Sequence, residues 1–163
     1  PLTEMLNLYL TKMSKIALKY GGTIDKYIGD SVMIFFGDPE TAGKKQDALN
    51  CVKMAIEMQN TMKKLSKNFM NDFNLSSPLN IRIGIHSGEC TVGNFGSEKR
   101  LDYTVIGRTV NLAARLESSS PVGQILVSEK TRSLINDEID CKNYDEVKVK
   151  GFKDKIGTFI PNF

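Results

Sequence analysis

The sequence contains few cysteines and histidines, the residues that form disulfides and bind metals through sulfur or imidazole. It has no tryptophan, one histidine (His86) and three cysteines (Cys51, Cys90 and Cys141) among 163 residues. An odd cysteine count without paired spacing argues against a disulfide framework and for a reducing compartment. One histidine offers no recognisable Cys/His zinc spacing. The disulfide-rich and zinc-stabilised classes are therefore excluded.

Charge and hydropathy exclude two further classes of partner. The formal net charge is only +3, and the basic residues are dispersed among acids rather than concentrated in a stripe, which argues against nucleic acid. We find no apolar run long enough to span a bilayer and no signal peptide, so we expect no direct membrane contact from this segment. We expect a single domain over 1–163 with a cytoplasmic location, within a parent that could be membrane-anchored or multidomain.

The spacing of apolar residues predicts interleaved helices and strands, typical of an α/β or α+β sandwich. The predicted helices are 2–20, 41–73, 109–118 and a short one capped by Ser128; the predicted strands are 23–28, 31–36, 79–86, 89–94, 100–106, 123–127, 146–149 and 157–160. The apolar stripe of the second helix predicts core positions, its methionines included; these are Ala48, Val52, Ala55, Met58, Met62, Leu65 and Phe69. We also predict that the segment 67–78 is flexible.

Two polar side chains lie one turn apart on the third predicted helix. Asn111 and Arg115 share a helix face if the segment from Thr109 is helical. A permanently charged guanidinium beside an amide suits a sugar-phosphate ligand. Alternatively, they are ordinary surface residues on a helix whose core face is Val110, Ala113, Ala114 and Leu116.

The predicted hairpin over 23–36 carries a lysine and an aspartate that need an explanation. On a regular strand Lys26 would share a face with Ile24 and Ile28, which is unusual unless its ammonium has a partner. Asp30 lies at the hairpin tip, where Gly-Asp is a common turn pair. A carboxylate there could instead hold magnesium, which prefers oxygen ligands.

Several long motifs, in order along nearly the whole chain, resemble class III nucleotidyl cyclases. They are GGTIDKYIGDSVMIFFG (21–37), RIGIHSGE (82–89), VGNFGSEKRLDYTVIGRTVNLAAR (92–115) and VKG (149–151). The resemblance implies an α+β, ferredoxin-like fold, with a sheet and helices packed on it.

The resemblance also implies how a base would be read. Lys26 would read the adenine ring and Thr104 would be its partner in base selection, a Lys/Thr pair typical of the bacterial-type branch. Guanylyl cyclases usually carry Glu at the Lys26 position. The chemistry agrees with ATP, because an ammonium donates to the adenine ring nitrogen, whereas guanine offers an N–H there.

The remaining implied roles concern sugar, phosphates and metal. Asn111 would orient the ribose, Arg115 would bear on the phosphoryl group in the transition state, and Lys150 would hold the terminal phosphates. Asp30 would be one of two carboxylates that bind two Mg²⁺ or Mn²⁺ ions. The implied reaction converts ATP to 3′,5′-cyclic AMP and pyrophosphate by attack of the ribose 3′-oxygen on the α-phosphorus.

The family's active site is shared between two chains, so the resemblance implies a head-to-tail homodimer with two equivalent sites. The family's first strand, with its first metal-binding Asp, normally precedes the helix that opens this sequence. That strand and the second metal carboxylate are therefore expected upstream of Pro1, and we expect residues 1–163 alone to bind nucleotide weakly without turnover.

Two other functions stay open, a guanylyl cyclase and a non-catalytic cyclase-like dimerisation or regulatory module. We interpret His86 as a packed histidine rather than a catalytic base, because no nucleophile accompanies it. We expect glycines 84, 88, 93 and 96 to serve turns and close backbone packing rather than a phosphate loop.

Overall fold

The protein has an α+β fold in which helices cover a central four-stranded sheet. The structure, a computed structural model, describes residues 2–98 and 100–163. Within these ranges the helices are α1 (Leu2–Lys19), α2 (Lys44–Asp72), α3 (Arg108–Ser119) and α4 (Glu129–Ile135). The strands are β1 (Thr23–Ile28), β2 (Ser31–Phe35), β3 (Ile83–Ile85), β4 (Thr91–Ser97), β5 (Arg100–Ile106), β6 (Ile125–Ser128), β7 (Cys141–Val147) and β8 (Ile156–Pro161).

The strands form one mixed sheet and two hairpins. The mixed sheet has the order β3-β6-β8-β7, in which β3 and β6 are parallel and the other neighbours antiparallel. The pairs β1–β2 and β4–β5 are antiparallel two-stranded ribbons. The ribbon β1–β2 contains most of the motif 21–37, and the ribbon β4–β5 contains the first part of the motif 92–115. Neither ribbon is hydrogen-bonded to the four-stranded sheet among the described residues.

Strand β6 is the centre of the core because both of its faces are covered. All four of its residues are buried. Successive side chains of a strand point to opposite faces. Accordingly Ile125 and Val127 lie in a cluster with α2, whereas Leu126 lies in a cluster with Leu112 and Leu116 of α3.

Helix α2 packs on two partners along its length. Its first half contacts the main sheet through residues such as Val52, and its second half contacts α1, where Met58 packs with Met13 and Ile16. Every core position predicted for this helix is buried, which confirms the assignment of its methionines to the core; these positions are Ala48, Val52, Ala55, Met58, Met62, Leu65 and Phe69.

Helix α3 lies directly against β3 because Gly84 has no side chain. A Cβ at Gly84 would lie 2.2 Å from the Glu117 nitrogen and 2.6 Å from the Ala113 oxygen. Side chains essentially never approach backbone atoms so closely, so only glycine permits this packing. The expectation of close backbone packing is confirmed at this position.

Several predicted boundaries and faces were wrong where amphipathic signals were weak. On α1 the helical spacing of Leu2 with Tyr9, Met13 and Ile16 predicts an inward-facing Leu2, but Leu2 is 75% exposed and Met5 is buried. The flexibility expected over 67–78 is wrong for its first part, because α2 continues to Asp72 and buries Phe69 against α1. Three strands also differ in extent from 79–86, 89–94 and 146–149, and are Ile83–Ile85, Thr91–Ser97 and Cys141–Val147.

Strand β7 begins earlier in the chain than the predicted strand 146–149. Most of its side chains are exposed, so its sequence lacks the alternating apolar pattern that indicates a strand. Hydrogen bonds to β8 define it instead. Among the described helices, none combines the length and the hydropathy that a membrane crossing requires.

Candidate functional site

A β-bulge at Asp25 changes the direction of the side chains on β1. The ladder pairs Ile24 with Ile34 and Lys26 with Met33, which leaves Asp25 as the additional residue on its strand. Bulges interrupt the alternation of faces and often re-aim side chains next to functional sites. The prediction that Lys26 shares a face with Ile24 was therefore wrong, since it assumed a regular strand. Lys26 and Ile28 lie two residues apart after the bulge and still share a face.

The bulge places the Asp25 carboxylate between Lys26 and Thr104. The Asp25 side chain is 2% exposed, and its Oδ1 lies 3.9 Å from Lys26 Nζ. Its Oδ2 accepts hydrogen bonds from Thr104 Oγ1 at 2.7 Å and from the Val105 N–H at 3.3 Å. Thr104 is itself only 6% exposed, whereas the Lys26 side chain is 45% exposed. The structure thus brings Lys26 and Thr104 together through a residue that sequence reasoning missed.

Helix α3 presents the next two candidate residues to solvent. It begins at Arg108, directly after Gly107, whose φ of 135° favours glycine. Asn111 and Arg115 are both exposed, one turn apart, and Arg115 Nε donates to the Lys148 carbonyl oxygen at 3.2 Å.

The core face of α3 differs from the predicted one, which was Val110, Ala113, Ala114 and Leu116. Ala114 is exposed, and Leu112 is buried together with Leu116. The separation of four residues between the two leucines fits one helix face, and it leaves Asn111 and Arg115 outside the core.

Lys150 lies in a loop that two arginines of α3 hold by its backbone. Arg115 binds the carbonyl of Lys148, and Arg108 donates to the carbonyl of Gly151. The Arg108 guanidinium also stacks over the Phe152 ring, 4.5 Å from its centroid. Lys150 itself is exposed. The two arginines therefore hold the loop that carries Lys150 against α3.

Sequence reasoning missed Arg108, although a signal was present. A cation in the first turn of a helix opposes the helix dipole, so it is unfavourable unless another interaction compensates. Here the Phe152 ring and the Gly151 carbonyl provide that interaction.

Asp30 occupies the tip of the β1–β2 hairpin. It follows Gly29, whose φ is 62°, and its side chain is exposed. Burial, together with the negative charges of Asp30 and Glu117, raises the pKa of Tyr9 to about 12. The described residues include no group of three or more His, Cys, Asp or Glu side chains that could hold a metal ion. Asp30 is thus an exposed carboxylate at the hairpin tip, and the described residues do not place it in such a group.

His86 behaves as a packed residue rather than a catalytic base. Its Nδ1 lies 2.6 Å from the Ser128 hydroxyl, which is buried and caps α4. Burial, with the nearby Lys130 charge, lowers the pKa of His86 to about 4. A general base near neutral pH would need a pKa closer to 7, so the interpretation of His86 as a packed histidine is supported.

Comparison with protein families identifies the fold to which these features belong. A family model described as the adenylate and guanylate cyclase catalytic domain matches residues 1–162. The chain belongs to this family. The match confirms the resemblance to class III nucleotidyl cyclases that the motifs had indicated.

Solved cyclase structures confirm the α+β fold of this cyclase domain. The adenylyl cyclase CyaB from P. aeruginosa is 53% identical, with a TM-score of 0.96, and the match covers 99% of this chain and 82% of that one. The guanylyl cyclase Cya2 is 36% identical, with a TM-score of 0.89, and the match covers 98% of this chain and 79% of that one.

Among curated proteins, an adenylate cyclase from Anabaena cylindrica is 37% identical over an alignment of 163 positions that covers 96% of this chain. The chain spans only 31% of the length of that relative. Both adenylyl and guanylyl cyclases therefore resemble the domain, and the similarity concerns less than a third of the Anabaena protein.

Proposed function

We propose that the protein is an adenylyl cyclase, a lyase that converts ATP to 3′,5′-cyclic AMP and pyrophosphate for intracellular signalling. The observation that carries the proposal is the placement of Lys26 and Thr104 on the two oxygens of the Asp25 carboxylate. The identity of 53% to an adenylyl cyclase of solved structure supports it.

The chemistry of the purine edge favours adenine over guanine at this pair. The Lys26 ammonium can only donate hydrogen bonds, and the adenine ring nitrogen N1 can only accept one. Guanine carries a proton at N1, which would face the ammonium unfavourably. The exposed Lys26 and the nearby Thr104 would together read the base of ATP.

Residues of α3 and the adjoining loop would hold the sugar and phosphates. Asn111, an exposed amide, would orient the ribose, and Arg115 would donate to the phosphoryl group as charge shifts in the transition state. Lys150 would bind the terminal phosphates. The O3′–Pα bond forms, the Pα–O bond to pyrophosphate breaks, and the 3′-hydroxyl proton leaves to solvent.

Divalent ions belong to this proposal as Mg²⁺ or Mn²⁺, two per site. Where bound, such ions neutralise phosphate charge and favour the alkoxide form of the attacking oxygen. Asp30 would provide one carboxylate ligand. The second carboxylate ligand stays a prediction.

A head-to-tail homodimer would complete the site. Exposed apolar side chains lie on the two ribbons, next to the residues proposed to act; they are Tyr27, Ile28, Tyr103 and Ile106. Exposed apolar groups at one place commonly mark an interface. One protomer would contribute Asp30, and its partner would contribute Lys26, Thr104, Asn111, Arg115 and Lys150.

The direct test is cyclic nucleotide production by the full-length protein. It is incubated with ATP or GTP and with Mg²⁺ or Mn²⁺, and cyclic AMP, cyclic GMP and pyrophosphate are quantified. We expect cyclic AMP and pyrophosphate in equal amounts, and a lower ATP/GTP preference in Lys26→Glu. A preference for GTP would instead indicate a guanylyl cyclase, and no product with either nucleotide would indicate a non-catalytic module.

Mixing two inactive variants tests the shared site. Asp30→Ala and Arg115→Ala should each be inactive as homodimers, but their heterodimer has one site with both residues intact. Random pairing should restore about a quarter of the wild-type activity. No recovery, despite heterodimers detected by differently tagged chains, would contradict the head-to-tail arrangement.

A further inference from the structure

Asp25 is a buried carboxylate whose partners are the proposed base-reading residues or their neighbour. Its Oδ2 accepts from the Thr104 hydroxyl at 2.7 Å and from the Val105 N–H at 3.3 Å, and its Oδ1 lies 3.9 Å from Lys26 Nζ. A carboxylate that is only 2% exposed needs such partners to offset the loss of water. Neither Lys26 nor Thr104 is therefore electrostatically independent of Asp25.

The hydrogen bond to Asp25 determines what the Thr104 hydroxyl can offer a ligand. A hydroxyl has one proton to donate and two lone pairs that accept. Since the Thr104 proton points to Asp25 Oδ2, only lone pairs remain for a third group. Rotation of the hydroxyl away from Asp25 would leave the buried carboxylate short of a donor, which is costly.

We propose that Asp25 is a positioning residue for nucleotide selectivity, which holds Thr104 as an obligate hydrogen-bond acceptor toward the base. This inference rests on the proposed function, in which Thr104 reads the purine. It extends the specificity element from the Lys/Thr pair to a triad in which Asp25 sets the polarity of Thr104.

The resulting pattern matches adenine and opposes guanine at two adjacent positions. Lys26 presents a donor and Thr104 an acceptor. Adenine offers an acceptor at N1 and a donor at its 6-amino group, whereas guanine offers a donor at N1 and an acceptor at O6. A freely rotating hydroxyl would donate to O6 as readily as it would accept from the amine, so without Asp25 the second position would not discriminate.

The test is a set of variants of the full-length protein, assayed for kcat/KM with ATP and with GTP. Asp25→Val removes the acceptor and frees the Thr104 hydroxyl, so the ATP/GTP preference should fall about tenfold, the effect of one hydrogen bond. Asp25→Asn is the matched control, because its amide oxygen can face Thr104 and Val105, and it should keep the preference within about twofold.

A double-mutant cycle with Thr104→Val distinguishes polarity from general disruption. Thr104→Val should itself lower the preference, and adding Asp25→Val to it should lower the preference no further, because the hydroxyl that Asp25 holds is absent. An equal fall with and without Thr104 would mean that Asp25 acts only by supporting the local structure, and would overturn the inference.

The same cycle separates failure of this inference from failure of the proposed function. If Thr104→Val lowers the preference but Asp25→Val does not, the inference is overturned and the role of Thr104 in base reading stands. If Thr104→Val leaves the preference unchanged, the proposed base-reading role is itself wrong. Thermal unfolding of each variant shows which of them remain folded.

Nucleotide analogues provide a test that does not depend on folding of Asp25→Val. Inosine triphosphate carries O6 at the position read by Thr104, and purine riboside triphosphate carries neither donor nor acceptor there. The wild-type protein should use purine riboside triphosphate better than inosine triphosphate, and the difference should shrink in Thr104→Val. A difference that grows in Thr104→Val would show that the hydroxyl donates to O6, and an unchanged difference would show that the hydroxyl does not distinguish the two analogues. Either result would overturn the inference.

Discussion

The layer around β6 and the surface proposed to bind nucleotide are built from different kinds of side chain. In the layer all of β6 is buried, and apolar groups of α2 and α3 cover its two faces. On the proposed surface Lys26, Asn111, Arg115 and Lys150 are all exposed. Stability and the proposed chemistry therefore depend on nearly separate sets of residues, so substitutions should affect one without the other.

The two regions meet at α3 and at the β1 bulge, in two different ways. Helix α3 buries Leu112 and Leu116 and presents Asn111 and Arg115 on its remaining surface. At the bulge there is no such division, because the buried groups, Asp25 and Thr104, are themselves polar. A buried hydrogen-bonded pair resists rearrangement, so this is where we expect structure and specificity to depend on the same atoms.

The largest separation between activity and stability is expected for Arg115→Ala. Loss of a preorganised donor to a developing phosphoryl charge typically lowers kcat by about 10²–10³. The free energy of unfolding should change by less than about 0.5 kcal/mol, because the Arg115 side chain is exposed. Steady-state kinetics and urea unfolding of the full-length protein measure the two effects.

Arg82 offers a matched control for Arg115. It is also exposed and also donates to a backbone carbonyl, that of Ser118 near the end of α3, at 3.3 Å. Arg82→Ala should therefore leave both kcat and stability near wild-type values. Similar losses of kcat in the two variants would mean that guanidinium–carbonyl contacts along α3, and not a phosphate contact, account for the effect.

The reverse separation, a large loss of stability, is expected for Gly84→Ala. The new methyl would lie 2.2 Å from the Glu117 nitrogen and 2.7 Å from the Leu116 carbonyl carbon. Since these are backbone atoms, α3 must move as a unit, and overpacking of this kind costs about 3 kcal/mol. Activity should fall too, because Asn111 and Arg115 move with the helix. Urea unfolding is the measurement.

Gly157→Ala is the corresponding control in the same sheet. Its nearest neighbour would be the Phe159 side chain at 3.9 Å, an ordinary contact distance. Alanine is also a little less costly than glycine in a strand, so we expect unchanged or slightly higher stability. If Gly84→Ala is as stable as Gly157→Ala, the close contact between α3 and β3 is not what fixes the helix.

Sequence patterns predicted the layer well because its signals are periodic and apolar. The inner face of α2 follows from its 3.6-residue spacing, and every predicted core position is buried. The short hydrogen-bonded strands were less predictable. Strand β7 is defined by its hydrogen bonds to β8, and most of its side chains are exposed. Its sequence therefore shows no apolar alternation from which the strand could be predicted.

The residues of the candidate site were proposed from the sequence, whereas their arrangement follows only from the structure. Long motifs indicated Lys26, Asp30 and Thr104, and the helix spacing indicated Asn111 and Arg115. The sequence did not indicate Asp25, because in a regular strand its side chain would point away from that of Lys26. The local sequence has no feature that predicts the bulge. Its role depends on contact with Thr104, which is 79 residues away in the chain.

The smallest expected effect belongs to His86, which lies outside both regions of the comparison as a polar residue that supports the fold. Its pKa is lowered to about 4 from the ordinary 6.5, first by burial and then by the Lys130 charge. Between these two pH values the unfolded chain binds a proton at His86 and the folded chain does not. Stability from this group is therefore fully present above pH 6.5 and is lost as the pH falls toward 4.

The full shift in the pKa of His86 corresponds to about 3 kcal/mol of stability. Because His86 is only half-buried, we expect a loss of about 1–2 kcal/mol on acidification. His86→Asn keeps a polar atom near the Ser128 hydroxyl but cannot be protonated. Its stability should therefore fall less steeply than that of the wild type over the same pH range. Because His86 is the single histidine of the sequence, no other imidazole contributes to the difference between the two curves, and both proteins contain the same carboxylates. Parallel stability curves from urea unfolding would mean that a rearrangement around Ser128 accommodates the charged imidazole without loss of stability.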